Sequence, residues 1–188
     1  AYFQLTKNVF PTAKLIIDRF HIVKHLNTAF NDFRVREMKR LITNKKKSKA
    51  NKLKSNWKLL LKNQTNISIS EFKTWRSFPS PKYHLLTESM VIDRLLSFSS
   101  ELKEAYDIFH LLMYHFRNKD DRSFFELLKN LPDSLDTQFR NKIENLISYE
   151  EGIRNALKYN FSNGKIEAKN THIKTLKRVS YGFNSFTN

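Results

Sequence analysis

Apolar residues recur with a helical period along most of the chain. Ile22, Leu26, Phe30 and Phe33 stand three or four positions apart and predict an amphipathic helix that starts near Phe20 and fades into a lysine-rich run. Val91, Leu95, Phe98, Leu102, Ala105, Phe109, Leu112 and Phe116 keep the same period, which predicts one long helix or two broken near Ser99-Ser100. Residues 124–131 add a short helix. Pro132-Asp133 is expected to start another, with Leu135, Phe139, Ile143, Leu146, Ile153 and Leu157 on one face. A short helix over 53–61 carries Trp57, while 65–83, with Pro79 and Pro81, reads as irregular. Ser162-Asn163-Gly164 marks a turn before a last helix with Ile166, Ile173 and Leu176, which Gly182 can end. One segment departs from the period: Ala13-Lys14-Leu15-Ile16-Ile17, between Pro11 and Asp18, is a short apolar run that suits a buried strand. The expected fold is therefore mostly α with one strand.

Charge changes this picture more than composition does. The 188 residues hold 34 Lys plus Arg against 18 Asp plus Glu, a net charge of +16, yet 40% of residues are hydrophobic, enough to build a core. Bases cluster in two zones. Lys39, Arg40, Lys45, Lys46, Lys47, Lys49, Lys52, Lys54, Lys58 and Lys62 face Glu37 alone; Lys158, Lys165, Lys169, Lys174, Lys177 and Arg178 face Glu167 alone. Each zone by itself can be a solvated surface. Two of them flanking a nearly neutral middle favour a nucleic-acid partner, because bound phosphates release condensed counterions. The apolar runs are far too short to span a bilayer, so no membrane is expected. The absence of cysteine excludes disulfides, thiolate zinc sites and cysteine nucleophiles. No Gly-rich phosphate loop and no Gly-x-Ser-x-Gly elbow is present.

Few positions carry chemistry on their own. Asp18 follows the apolar run, where sheet-based enzymes place reacting groups, but Asp is also a favoured helix N-cap and that reading takes precedence on spacing alone. Glu167 lies in the first turn of a predicted helix, where the macrodipole favours an acid. It shares one face with Asn170 and Lys174, and an isolated acid among bases also suits a divalent cation beside a phosphodiester. His21 and His25 are four apart without a third ligand nearby, a poor zinc site. His110 and His115 read as structural, and Trp57 and Trp75 as buried anchors before base-stacking platforms.

Two longer strings carry a family likeness. Phe10-Pro11-Thr12-Ala13-Lys14-Leu15-Ile16-Ile17-Asp18-Arg19-Phe20-His21-Ile22-Val23 resembles a conserved segment of the ISL-three family of bacterial insertion-sequence transposases. Ser162-Asn163-Gly164-Lys165-Ile166-Glu167-Ala168-Lys169-Asn170, continuing through Ile173-Lys174 and Lys177-Arg178 to Tyr181-Gly182, resembles that family's block around its last acid, with Ala168 in place of the usual glycine. Trp57 to Leu61 and Glu101 to Tyr106 are similar to intervening family segments.

The likeness implies a DDE transposase with a partial ribonuclease-H-like (α/β) core and a large all-helical insertion. Residues 1–36 would belong to the core, 37–160 would be the insertion, and 161–188 would return to the core. Asp18 becomes the second acid and Glu167 the third of a set that holds two Mg²⁺ or Mn²⁺ ions for cleavage and strand transfer. Lys165, Lys169, Asn170, Lys174, Lys177 and Arg178 become phosphate-gripping residues. The first acid is expected upstream of Ala1-Tyr2, so the chain alone is expected to be inactive. The implied partners are DNA ends, target DNA and further copies of the protein, in the bacterial cytoplasm at the nucleoid. The alternative, from another class, is a non-catalytic basic helical nucleic-acid-binding protein that uses both acids only as helix-start residues.

Overall fold

The computed structural model describes residues 8–79, 85–159, 161 and 164–179, with the backbone alone over 164–167. Its elements are α1 (Arg19–Thr43), α2 (Lys47–Ser55), α3 (Trp57–Leu60), α4 (Glu88–Leu96), α5 (Ser100–Arg117), α6 (Asp121–Lys129), α7 (Thr137–Glu144), α8 (Glu150–Lys158) and α9 (Gly164–Val179). The described residues form no sheet, and their only β pairing is an isolated antiparallel bridge between Lys73 and Leu86. No helix among them is long and apolar enough to cross a membrane.

The long helix α1 forms the spine, packed against α2, α5, α7 and α8. The apolar period read from the sequence is its buried face: Ile22, Leu26, Phe30 and Phe33 are all at most 2% exposed. Phe30 sits at the centre, stacked on Phe109 at 4.8 Å between ring centroids and edge-on to Tyr106 and Phe139. Arg34 is buried on the same helix and joins it to α2, its guanidinium donating to the Leu53 carbonyl at 3.1 Å and to Asn31 Oδ1. Lys45 (φ 59°) and Lys119 (φ 58°) take the left-handed conformation just past α1 and α5. There they let backbone N–H groups turn back onto the last carbonyls of each helix.

The long apolar period after Thr87 is two helices. Residues 97–99 break it because Ser99 caps α5, its hydroxyl accepting from the Leu102 N–H at 3.0 Å, just as Thr87 caps α4. Arg40 braces this break by reaching Glu101 at 3.1 Å and Ser99 at 3.2 Å. The helix expected from Pro132 starts later. Pro132 to Leu135 is a turn, closed by the Leu135 N–H on the Pro132 carbonyl, and the helix begins where Asp136 accepts from the Phe139 N–H at 2.7 Å. A 3-10 stretch, Asn145–Tyr149, divides what periodicity reads as one helix into α7 and α8, while all six residues of the predicted face remain buried.

The expected strand is a correction. Residues 13–17 form no strand and pair with none among the described residues. Two of their backbone groups are engaged by α8 instead: the Ile17 N–H donates to the Gly152 carbonyl at 3.2 Å, and Asn155 donates to the Leu15 carbonyl at 2.9 Å. The Ser162-Asn163 turn and the Tyr181-Gly182 stop lie outside the described residues.

Candidate functional site

Asp18 stands between the extended segment and α1. Its Oδ1 accepts the Phe20 N–H at 2.8 Å, so it caps the spine helix, and its other carboxylate oxygen makes no hydrogen bond among the described residues. The following residue ties this point to the far end of the chain. Arg19 donates from Nε to the Ala156 carbonyl at 2.7 Å and from its terminal nitrogen to the Tyr159 carbonyl at 3.0 Å. Both acceptors lie at the C-terminal end of α8, where carbonyls lack helical partners and the dipole favours a cation. Lys14 adds a second tie, its ammonium donating to the Tyr159 hydroxyl at 2.7 Å and lowering that phenol's pKa. The neighbour of Asp18 is thus fixed to residues that precede the helix of Glu167 by a few positions.

Glu167 lies in the first turn of α9, and its side chain, like that of Lys165, is outside the described atoms. Lys169, Asn170, Lys174, Lys177 and Arg178 all lie on α9 and are exposed. Asn170, Lys174 and Lys177 follow one another at i, i+4 and i+7 and form a stripe. The described residues contain no group of three His, Cys, Asp or Glu that could hold a metal ion. Of the histidine pair on α1, His25 has a structural use: its ring lies 2.6 Å from the Lys142 carbonyl, linking α1 to α7. His110 and His115 are likewise engaged, with the Leu60 carbonyl and with Asp120.

Sequence reasoning missed one group. Lys47 and Lys52 of α2 come together with Trp75 and Arg76 of the irregular stretch around a single groove. The aromatic-basic pair Trp75-Arg76 within a Ser- and Pro-containing loop was the available signal. Nothing local indicates that this loop folds back on α2.

A family model described as a transposase, that of the ISL-three DDE type, matches residues 1–188. The chain therefore belongs to the ISL-three family of DDE transposases. A curated protein of Lactococcus lactis subsp. lactis named as an ATP-dependent protease is 41% identical over 106 residues, which cover 55% of this chain and 33% of that protein. The match thus spans about a third of that relative's length. No solved structure matches the chain.

Proposed function

We propose that this chain supplies the second and third acids of a DDE transposase active site, Asp18 and Glu167, on a ribonuclease-H-like core interrupted by the helical body 37–160. The observation that carries the reading is the Arg19 clamp, which holds the residue after Asp18 against Ala156 and Tyr159, so that two distant parts of the chain start from one place. Residues 1–36 and 161–188 would form the core's share of this chain.

The donor chemistry fits the expected ions. Two carboxylates, one with an unengaged oxygen on Asp18, form a hard set that suits Mg²⁺ or Mn²⁺ and leaves positions for water and phosphate oxygens. When bound, two such ions activate a water or 3′-hydroxyl and stabilise the leaving oxygen of an in-line displacement. The protein's own part is positional. Lys165, Lys169, Lys174, Lys177 and Arg178 hold phosphates along α9, Asn170 adds a neutral hydrogen-bonding group, and the N-cap fixes the Asp18 carboxylate relative to the spine. Acting on element ends and target DNA, as a homo-oligomer in the bacterial cytoplasm at the nucleoid, belongs to the same proposal, as does inactivity of this chain alone.

A second reading, a non-catalytic basic nucleic-acid-binding protein, is favoured by the use of Asp18 as a cap. Mn²⁺ binding to the chain with duplex DNA present, followed by electron paramagnetic resonance, separates the two. The transposase reading expects weak binding that is lost in both Asp18→Asn and Glu167→Gln. Manganese binding indifferent to both substitutions would leave the non-catalytic reading.

A further inference from the structure

The cations of the helical body are of two kinds. Many are paired: Arg140 with Asp133 at 3.1 Å and Glu144 at 2.9 Å, Arg154 with Glu150 at 2.7 Å and with Asp121, and Lys142 with Asp32 at 2.5 Å. Others are left unneutralised. Among the described residues no carboxylate pairs with Lys47, Lys52 or Arg76. These three line one groove of about 870 Å³ between α2 and the turn over 75–79, and among the described residues no acid lines it with them.

The walls of the groove are fixed relative to each other. Asn56, buried at its floor, donates to the Lys52 carbonyl at 2.8 Å and to Ser77 Oγ at 2.9 Å, which ties the end of α2 to the opposite turn. The Phe78 N–H closes that turn on the Trp75 carbonyl at 2.9 Å, and the Lys52 ammonium lies 4.7 Å from the centre of the Phe78 ring. Like charges held at a fixed spacing in a concavity repel one another, and low-dielectric walls focus their field. A bound polyanion removes that repulsion.

We infer that this groove grips the phosphodiester backbone of duplex DNA, as a contact separate from the α9 stripe. Backbone recognition is favoured over base stacking because Trp75 is already engaged. Its indole N–H donates to the Leu86 carbonyl at 2.9 Å, and the Lys73 ammonium lies 5.0 Å from its ring centre. The choice of DNA as the polyanion rests on the transposase reading; the groove itself does not depend on Asp18 or Glu167.

The test compares three double variants of the 188-residue chain, in the groove, at control sites and on α9. Lys47→Gln with Arg76→Gln removes one exposed cation from each wall and leaves the packed Lys52 in place. Lys103→Gln with Arg122→Gln removes the same charge from exposed sites elsewhere. Binding to fluorescein-labelled random duplex and single-stranded DNA is measured across a salt series, with circular dichroism melts to verify folding. At about −0.9 in log-log slope per phosphate neutralised, the groove variant is expected to lose about two units of slope and roughly 10- to 30-fold in affinity near 0.15 M salt. The control is expected to stay close to the parent. A groove variant no weaker than the control overturns the inference, as does weakening confined to single-stranded DNA. If Lys169→Gln with Lys174→Gln weakens binding while the groove variant stays at the level of the control, the groove fails and the transposase reading stands. If manganese binding ignores Asp18 while the groove variant still loses the duplex, the groove stands and the transposase reading fails.

Discussion

Replacing His110 by glutamine offers a quantitative check on the packing of the helical body. His110 is 4% exposed, its ring lies 4.2 Å from that of Tyr106 and 4.8 Å from that of Phe109, and its Nε2 is 3.0 Å from the Leu60 carbonyl. The neutral ring donates there. Burial pushes its pKa from 6.5 down to about 4; the Leu60 carbonyl opposes this, and the Arg117 charge adds to it. Between these two values the unfolded chain binds a proton that the folded chain does not. The neutral ring therefore contributes stability that is full above pH 6.5 and is lost as the pH falls towards 4. At about 1.4 kcal/mol per pH unit, the interval corresponds to about 3 kcal/mol. Glutamine keeps an N–H donor and does not titrate. Urea unfolding of both proteins, followed by tryptophan fluorescence from pH 7 to pH 4, should show the parent's advantage shrinking by about 3 kcal/mol. Carboxylates such as Glu88 and Glu101, whose pKa values are lowered, act equally in both proteins and cancel in the difference. Parallel stability curves would refute the argument and place the His110 ring in contact with water.

The remaining expectations concern the spine helix. Phe30→Ala removes a fully buried ring at the centre of the aromatic cluster and should cost about 3 to 5 kcal/mol in urea unfolding; a loss below about 2 kcal/mol would mean that α5 and α7 collapse into the space. Asp18→Ala should cost about 1 kcal/mol through loss of the cap, whereas Asp18→Asn, which keeps an accepting oxygen, should stay within a few tenths. Equal losses in the two variants would show that the charge and not the cap stabilises α1.

The helical faces were legible because burial of a helix follows a local period: the residues picked along α1, α5, α7 and α8 are the ones in the core. Boundaries followed capping side chains at Thr87 and Ser99, whereas the helix expected from Pro132 begins only after the cap at Asp136. The strand was not legible in the same way. An apolar run such as 13–17 marks a segment that packs, but its hydrogen-bond partners are chosen elsewhere, and here α8 supplies two of them. For the site, the family strings pointed to Asp18 and Glu167, while the clamp made by Arg19 had no sequence signal, since its acceptors are main-chain carbonyls that carry no side-chain identity. The groove between α2 and 75–79 was hidden for a similar reason. It needs an irregular loop whose path is set by the Asn56–Ser77 tie and not by any period.

The meeting of Arg19 with Ala156 and Tyr159 also governs how the protein can change over time. A long excursion that leaves and returns at one point is geometrically a cassette: its entry and exit are stapled, and lengthening what lies between costs only a logarithmic increment of closure entropy. Helices could be gained, lost or exchanged between α1 and α8 while the stapled point kept its shape, as happens when whole domains are inserted where chain ends lie close together. A lineage built this way can change the outer surface of its helices without moving the carboxylate beside the staple.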